Sequence, residues 1–513
     1  MHYGSSARRA CAFTLLAALV VGNPLRTLAQ QEPAASASAL PIPKEREART
    51  QGVVHVDGRA LTYDTIAGNL LLRDDKDQPT ASVFYVAYTV PGAHAKRPIT
   101  FLYNGGPGSS SVWLHMGSVG PRRVATVDGH TTPPAPYDIV ENAQTLLDRS
   151  DLVFVDAVGT GFSTLAGKGE GKSFWGVDQD ASAFAQFVRR FVTKYDRWNS
   201  PKFLFGESYG TTRSANLVNV LQNEGMAFNG VVLVSTVLNF GTLGSSGPSD
   251  DLSYELFLPT EAAVAWYHDA IPNKPSDLGA FVADVRRFAT GEYAAALARG
   301  ASLDATTRAS IAERLHGYLG LSSHFIALND LRVSPERFEK ELLRDRNLTV
   351  GRLDGRYLGY DLDAAADSPE YDPTDVAISG PFTAAFNRYV RDDLHWVPDG
   401  EYKPTNYGVV NRGWQFSRAG RDAGSLNVAG DLAEAMTKNP ALHVFSANGY
   451  FDLATPFYAT EFTLAHLGLD PSLDRNITYG FYPSGHMIYL NAPSLAALKR
   501  DLSAFYASAA RDR

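Results

Sequence analysis

Gly206-Glu207-Ser208-Tyr209-Gly210 follows directly on the apolar run 203–205 and precedes a helical pattern from Thr211. A strand that must become a helix within five residues tolerates only small residues around the serine, because a Cβ at either glycine would clash. The turn lifts the Ser208 hydroxyl above the sheet. It also sets the N–H dipoles of the helix start beneath any negative charge developing there. This punctuation commits the chain to an α/β sheet with a reactive serine at the carboxyl end of one strand.

The surrounding pattern agrees. Alternating segments at 61–72 and 81–90 predict antiparallel strands opening a sheet. Short β-branched and aromatic runs at 99–103, 152–155, 203–205 and 231–234 predict buried parallel strands, resumed at 442–446 and 477–481. A helical pattern over 177–195 lies between them. Residues 241–413 read differently: helices are expected at 260–270, 277–299, 304–319 and 334–346, each opened by an N-cap candidate. Pro335 after Ser334 marks the last start. Because the sheet pattern restarts afterwards, this region is expected as a helical insertion over the carboxyl edge of the sheet, between core segments 51–240 and 414–513.

At the N-terminus, Arg8-Arg9 precede an apolar run at 10–22 and a small-residue exit at Thr27-Leu28-Ala29. This predicts a signal peptide over 1–30, followed by an Ala/Ser/Pro-rich and then charged linker over 31–50. The run is short for a bilayer span, which takes about 20 residues. The expected location is periplasmic or secreted, without stable membrane insertion once the signal is removed. The only cysteine, Cys11, leaves with that segment, so neither a disulfide nor a cysteine zinc site is expected. Three arginines and no acid leave too, taking the net charge from −8 to −11. No basic field exists for nucleic acid, and no H-E-x-x-H pattern suggests a metal; no cofactor is expected.

A serine hydroxyl needs a base within reach, itself held by a carboxylate. In α/β-hydrolases the order along the chain is Ser, acid, His. His486, in Ser484-Gly485-His486-Met487 after the last strand, fits the base; Asp452, after the strand at 442–446, fits the acid. The other late histidines fall in a strand, in helical patterns or in the insertion. Asn104-Gly105-Gly106-Pro107-Gly108-Ser109-Ser110-Ser111, after the strand at 99–103, lets backbone N–H groups approach an oxyanion. A phosphate loop would need a Gly-Lys-Ser/Thr ending that is absent.

Together NGGPGSSS, GESYG, DAVGTGFS (156–163), the Asp452 loop and GHM resemble the serine carboxypeptidase family, in matching order over about residues 62–505. The resemblance implies an α/β-hydrolase fold, a mostly parallel central sheet flanked by helices, with a helical cap. It also implies release of C-terminal amino acids from peptides with a free C-terminus. Carried over, it makes Ser208 the nucleophile, His486 the general base and acid, and Asp452 its orienter. Gly106 and Tyr209 would supply the oxyanion N–H groups, and Asn104, Gly105 and Glu207 would hold the substrate carboxylate. A buried Glu can do so only while protonated, so acidic pH is expected to favour peptide hydrolysis.

Several positions depart from the family. Ser109 stands where Cys is often found, and Ser118 where a further acid is common. Disulfides are missing, and Met487-Ile488-Tyr489 replaces Met-Val-Pro. These departures resemble a bacterial branch. The same triad also suits an esterase or acyltransferase; Asn104 and Glu207 favour a substrate with a free carboxylate.

Overall fold

The computed structural model describes residues 39–92, 96–244, 247, 249–397, 399–418 and 424–510. The expected signal segment 1–30 and the linker up to residue 38 lie outside the described residues. Residues Leu40–Arg513 form one compact unit.

Its centre is a twisted sheet. In chain order the strands are β1 (Glu47–Val56), β2 (Arg59–Arg73), β3 (Pro79–Thr89), β4 (Ile99–Tyr103), β5 (Asp151–Val155), β6 (Lys202–Glu207), β7 (Gly230–Val234), β8 (His443–Gly449) and β9 (Ile477–Tyr482). In space they run β1-β2-β3-β5-β4-β6-β7-β8-β9, with the two-residue strand Thr164–Leu165 also paired to β3. β1 to β3 are antiparallel, β3 meets β5 antiparallel, and every later pairing is parallel. This is an α/β-hydrolase sheet, mostly parallel and flanked by helices.

Side chains leave the buried strands alternately, as a two-residue period requires. Leu102, Phe154, Phe205, Val232 and Phe445 join one buried cluster, and Phe101, Val153, Leu204, Leu233 and Val444 join another. Both faces are therefore dry, and all five residues of β4 and of β7 are buried. The short helix α1 (Val112–Gly117) follows β4. The longer α2 (Val177–Lys194) and α3 (Tyr209–Asn223) precede and follow β6. None of the described helices is long and apolar enough to cross a membrane.

The chain is structured earlier than its composition suggests. Residues 47–50, expected as linker, open β1, with Glu47 opposite Gly68. The charged run is used rather than solvated: Glu45 accepts from the Leu71 amide (2.8 Å) and pairs with Arg190 (2.9 Å), and Glu47 accepts from the Tyr195 hydroxyl (2.7 Å).

Within 241–413 the helices are α4 (Leu252–Tyr267), α5 (Leu278–Phe288), α6 (Ala294–Arg299), α7 (Ala305–Leu319), α8 (Ser323–Leu328), α9 (Pro335–Glu341) and α10 (Pro373–Asp392). Asp277, Asp304 and Ser334 cap their helices as expected, and a π turn at Ala289–Tyr293 joins α5 to α6. The first helix differs from expectation. It was expected at 260–270 but spans Leu252–Tyr267, with Pro259 inside, where burial of Leu256, Leu258 and Ala262 outweighs one lost backbone bond. The insertion also has two parts. Helices α4 to α9 enclose their own apolar cluster, whereas α10 packs Ile378, Phe382 and Phe386 into the main core.

Candidate active site

β6 ends at Glu207, and α3 starts two residues later. Ser208 between them has φ 58° and ψ −129°, a conformation that costs an L-residue energy and persists only where its surroundings impose it. The surroundings here are tight. A Cβ on Gly206 would stand 2.1 Å from the Gly210 carbonyl oxygen, and one on Gly210 would stand 2.8 Å from that of Tyr103. The Ser208 amide donates to the Val234 carbonyl (3.0 Å), and its own carbonyl accepts from the Thr211 hydroxyl (2.7 Å).

His486 and Asp452 arrive from the loops after β9 and β8. The His486 Nδ1 lies 2.9 Å from Asp452 Oδ2, and both residues are buried. Asp452 is fixed in turn: Oδ1 accepts from the Ala454 and Thr455 amides (2.9 Å each), and Oδ2 accepts from the Thr455 hydroxyl (2.7 Å). An acceptor facing Nδ1 keeps the proton there and leaves Nε2 as a base. Burial pushes the His486 pKa down, but the Asp452 carboxylate outweighs this and holds it above the ordinary value; Glu207 adds to the rise and Arg352 opposes it.

The third group gathers under the serine. Asn104 Nδ2 donates to Glu207 Oε1 (2.7 Å), and the Tyr489 hydroxyl donates to the same oxygen (3.2 Å). Asn104 is held at both ends of its residue. Its Oδ1 accepts from the Leu114 amide (3.0 Å), and its carbonyl accepts from the buried Arg213 (2.7 Å), which also pairs with Asp180 (2.6 Å). Among the described residues, Glu207 Oε2 is buried with no partner. Burial pushes the Glu207 pKa up to about 7, against the opposing pull of His486, Tyr489 and Asn104.

Gly105 runs against the elbow so closely that a Cβ would meet the Tyr209 nitrogen at 2.3 Å. Gly106 follows at φ 103°. The Tyr209 amide, first in α3, has no carbonyl one turn back within the helix, so it can turn to an oxyanion. The Ser111 amide and hydroxyl both donate to buried Asp156 (2.9 and 2.8 Å), which anchors the glycine loop from behind.

These residues meet at one cavity of about 160 Å³, lined by Asn104, Gly105, Gly106, Glu207, Ser208, Tyr209 and His486 among others; Asp452 stands behind Thr455. Met487 also lines it. Ser118 does not: it is buried at the end of α1 and donates to the Leu114 carbonyl (2.6 Å). Sequence reasoning missed Tyr489, Thr455 and Arg213, as well as the wall residues from the insertion, Arg352, Asp375 and Tyr407 among them. Tyr489 was visible only as a departure after Gly485-His486. Among the described residues no group of three or more His, Cys, Asp or Glu could hold a metal ion. The arrangement can carry out acyl transfer: a serine on a strained turn, a base with a fixed tautomer, and amides beside it.

The serine carboxypeptidase family model matches residues 63–240, which hold the NGGPG and GESYG loops but neither Asp452 nor His486. No curated protein matches this chain. Among solved structures, proline iminopeptidase from Mycobacterium smegmatis is similar over 86% of this chain and 99% of its own, at 12% identity and a TM-score of 0.36. A putative aryl esterase from Burkholderia cenocepacia is similar over 86% and 98%, at 13% identity and 0.33. A peroxisomal α/β-hydrolase from Saccharomyces cerevisiae is similar over 90% and 89%, at 9% identity and 0.37.

Proposed function

We propose that this serine hydrolase, whose residues 63–240 match the serine carboxypeptidase family model, is an exported carboxypeptidase that removes C-terminal amino acids from peptides. In this reading Ser208 Oγ attacks the last peptide carbonyl while His486 Nε2 takes its proton. The oxyanion is met by the Gly106 and Tyr209 amides. His486 then protonates the leaving amine, and water releases the acyl group by the reverse sequence. Asp452 keeps the imidazole in the required tautomer.

The observation that carries the choice of a carboxypeptidase is the Asn104–Glu207 pair. A carboxyl with a pKa near 7 and one unpartnered oxygen, beside the nucleophile, holds a proton that a substrate carboxylate can accept. The second Asn104 N–H and the Gly105 amide would complete the clamp. Binding then weakens as Glu207 ionises, so acidic to neutral pH favours peptide hydrolysis. The test is a mass-spectrometric time course on a mixed peptide pool, with Ser208→Ala as control. Stepwise loss from C-termini supports the reading. Cleavage of C-terminal amides or of aryl esters alone would make the enzyme an esterase or acyltransferase instead. Export is part of the same proposal, and it expects a mature N-terminus near Gln30 in the exported fraction.

A further inference from the structure

Among the residues lining the cavity, four carry a carboxyl, imidazole or guanidinium group: Glu207, His486, Asp375 and Arg352. The first two have tasks already. Asp375 accepts from Ser379 one turn along α10 (3.1 Å). Arg352 is exposed, and among the described residues no hydrogen bond or ion pair engages its guanidinium.

Its backbone, by contrast, is locked. The Gly351 amide donates to the Tyr357 carbonyl (2.9 Å), the Leu353 amide to Asp372 (2.9 Å), and the Asp354 amide to the Thr374 hydroxyl (3.1 Å). The His486 amide donates to the Leu353 carbonyl (2.7 Å), so Arg352 is one residue from a direct bond to the base. Arg356, four residues on, shows what a structural arginine looks like in this loop: it is buried and pairs with Asp354 (2.6 Å) and Asp128 (3.0 Å). A rigid backbone that sets a guanidinium on the wall of this cavity, within the field of Glu339 and Asp372 but hydrogen-bonded to neither, makes a ready receptor. The planar fork can take a carboxylate in two parallel charge-assisted bonds.

We propose that Arg352 is a specificity residue that binds a substrate carboxylate, that of the side chain of an aspartate or glutamate that supplies the scissile carbonyl. This deepens the carboxypeptidase reading and rests on it for the assignment of the terminal carboxylate to Asn104 and Glu207, which leaves the side chain as the second anion. An arriving acid also offsets the positive field that Arg352 imposes on His486.

The test compares aryl esters of N-acyl-glutamate and N-acyl-glutamine, neither with a free terminal carboxylate, at a pH where the glutamate side chain is ionised. Wild type should prefer the glutamate ester in kcat/KM by about tenfold or more. In Arg352→Gln that ratio should fall to about one, and Arg352→Lys should keep part of it. Because the ratio is read within each variant, a general loss of activity does not disturb it. A preference absent from wild type, or one that persists in Arg352→Gln, overturns the proposal. Peptides with Glu or Gln on either side of the scissile bond form the second arm. If Arg352→Gln weakens all peptides with a free C-terminus alike and leaves the ester ratio untouched, the guanidinium serves the terminal carboxylate and the side-chain assignment is overturned. If the ester ratio behaves as expected but no peptide is cleaved, the carboxypeptidase reading fails and Arg352 stands.

Discussion

Beside Ser208, Glu207 and His486 stand close enough to feel each other's charge. The ionised form of Glu207 favours the charged form of His486, and the reverse, so the pair titrates together. With Glu207 protonated and His486 neutral, the base is free and the acid can meet an anion; with the proton on His486 neither holds. Glu207→Gln fixes the first arrangement. In wild type, kcat/KM for a peptide should fall as pH rises through about 7, and the variant should lose that fall. The acidic limb of ester hydrolysis should move to lower pH, because the anion that helps raise the His486 pKa is gone. Superimposable profiles would refute this coupling. Tyr489→Phe removes a donor that pulls the Glu207 pKa down, so the alkaline limb for peptides should move upward; a downward shift counts against this role. Stability follows the same signs. Glu207 is raised in the folded state, so its contribution is full below 4.5 and lost as pH rises to about 7. That of His486 is full below 6.5 and lost as pH rises through its higher folded value. Asn104, Glu207, Ser208, Asp452 and His486 were legible because each stands at or just beyond a strand end, most of them beside glycine. Tyr489 and Arg213 were not, since a buried tyrosine or a mid-helix arginine carries no local sign of its partner.

Among the elements, the loop at 351–357 does more than its length suggests. Asp354 accepts from the Gly485 amide (3.1 Å), Arg356 donates to the Ser484 hydroxyl (3.2 Å), and the Gly355 amide donates to the Phe451 carbonyl (2.9 Å). One turn of chain from the insertion thus touches both loops of the acid–base pair. Gly485 is obligatory there, because a Cβ would come within 2.4 Å of Asp354 Cβ. Asp354→Asn should lower kcat by about 10- to 100-fold with little change in KM, since small misplacement of a base costs on that order. It should also cost about 3–5 kcal/mol of stability by stranding Arg356 without its closest partner. Removing both charges, in Asp354→Asn with Arg356→Gln, should restore much of the stability and little of the kcat. Equal recovery of both would make the loop a plain structural brace. The strands of the sheet could be read to within a few residues, since apolar runs of that length fit only buried strands. β1 and this loop could not, because charged or irregular segments gain their order from distant partners.

At the scale of the whole molecule the question is whether the insertion is a separate body. Sequence pattern placed it between two halves of one sheet, and Leu40–Arg513 is one compact unit. The packing gives the physical reason. The apolar cluster of α4 to α9 includes Phe451, Leu453 and Phe457, which bracket Asp452 and belong to the chain after β8. Asp452 is therefore held between hydrogen bonds of its own loop and side chains buried in the insertion. Loosening the insertion should loosen the acid, and neither part can melt first without exposing the shared residues. Leu315, buried inside α7, touches no part of the active site. Leu315→Ala should cost about 2–5 kcal/mol as a large-to-small core change. Its effect should appear as one calorimetric transition moved to lower temperature, with loss of esterase activity on heating at that same lower temperature. A new low-temperature transition, with activity surviving it, would show that the insertion melts alone and that the shared cluster does not bind it to the hydrolase core.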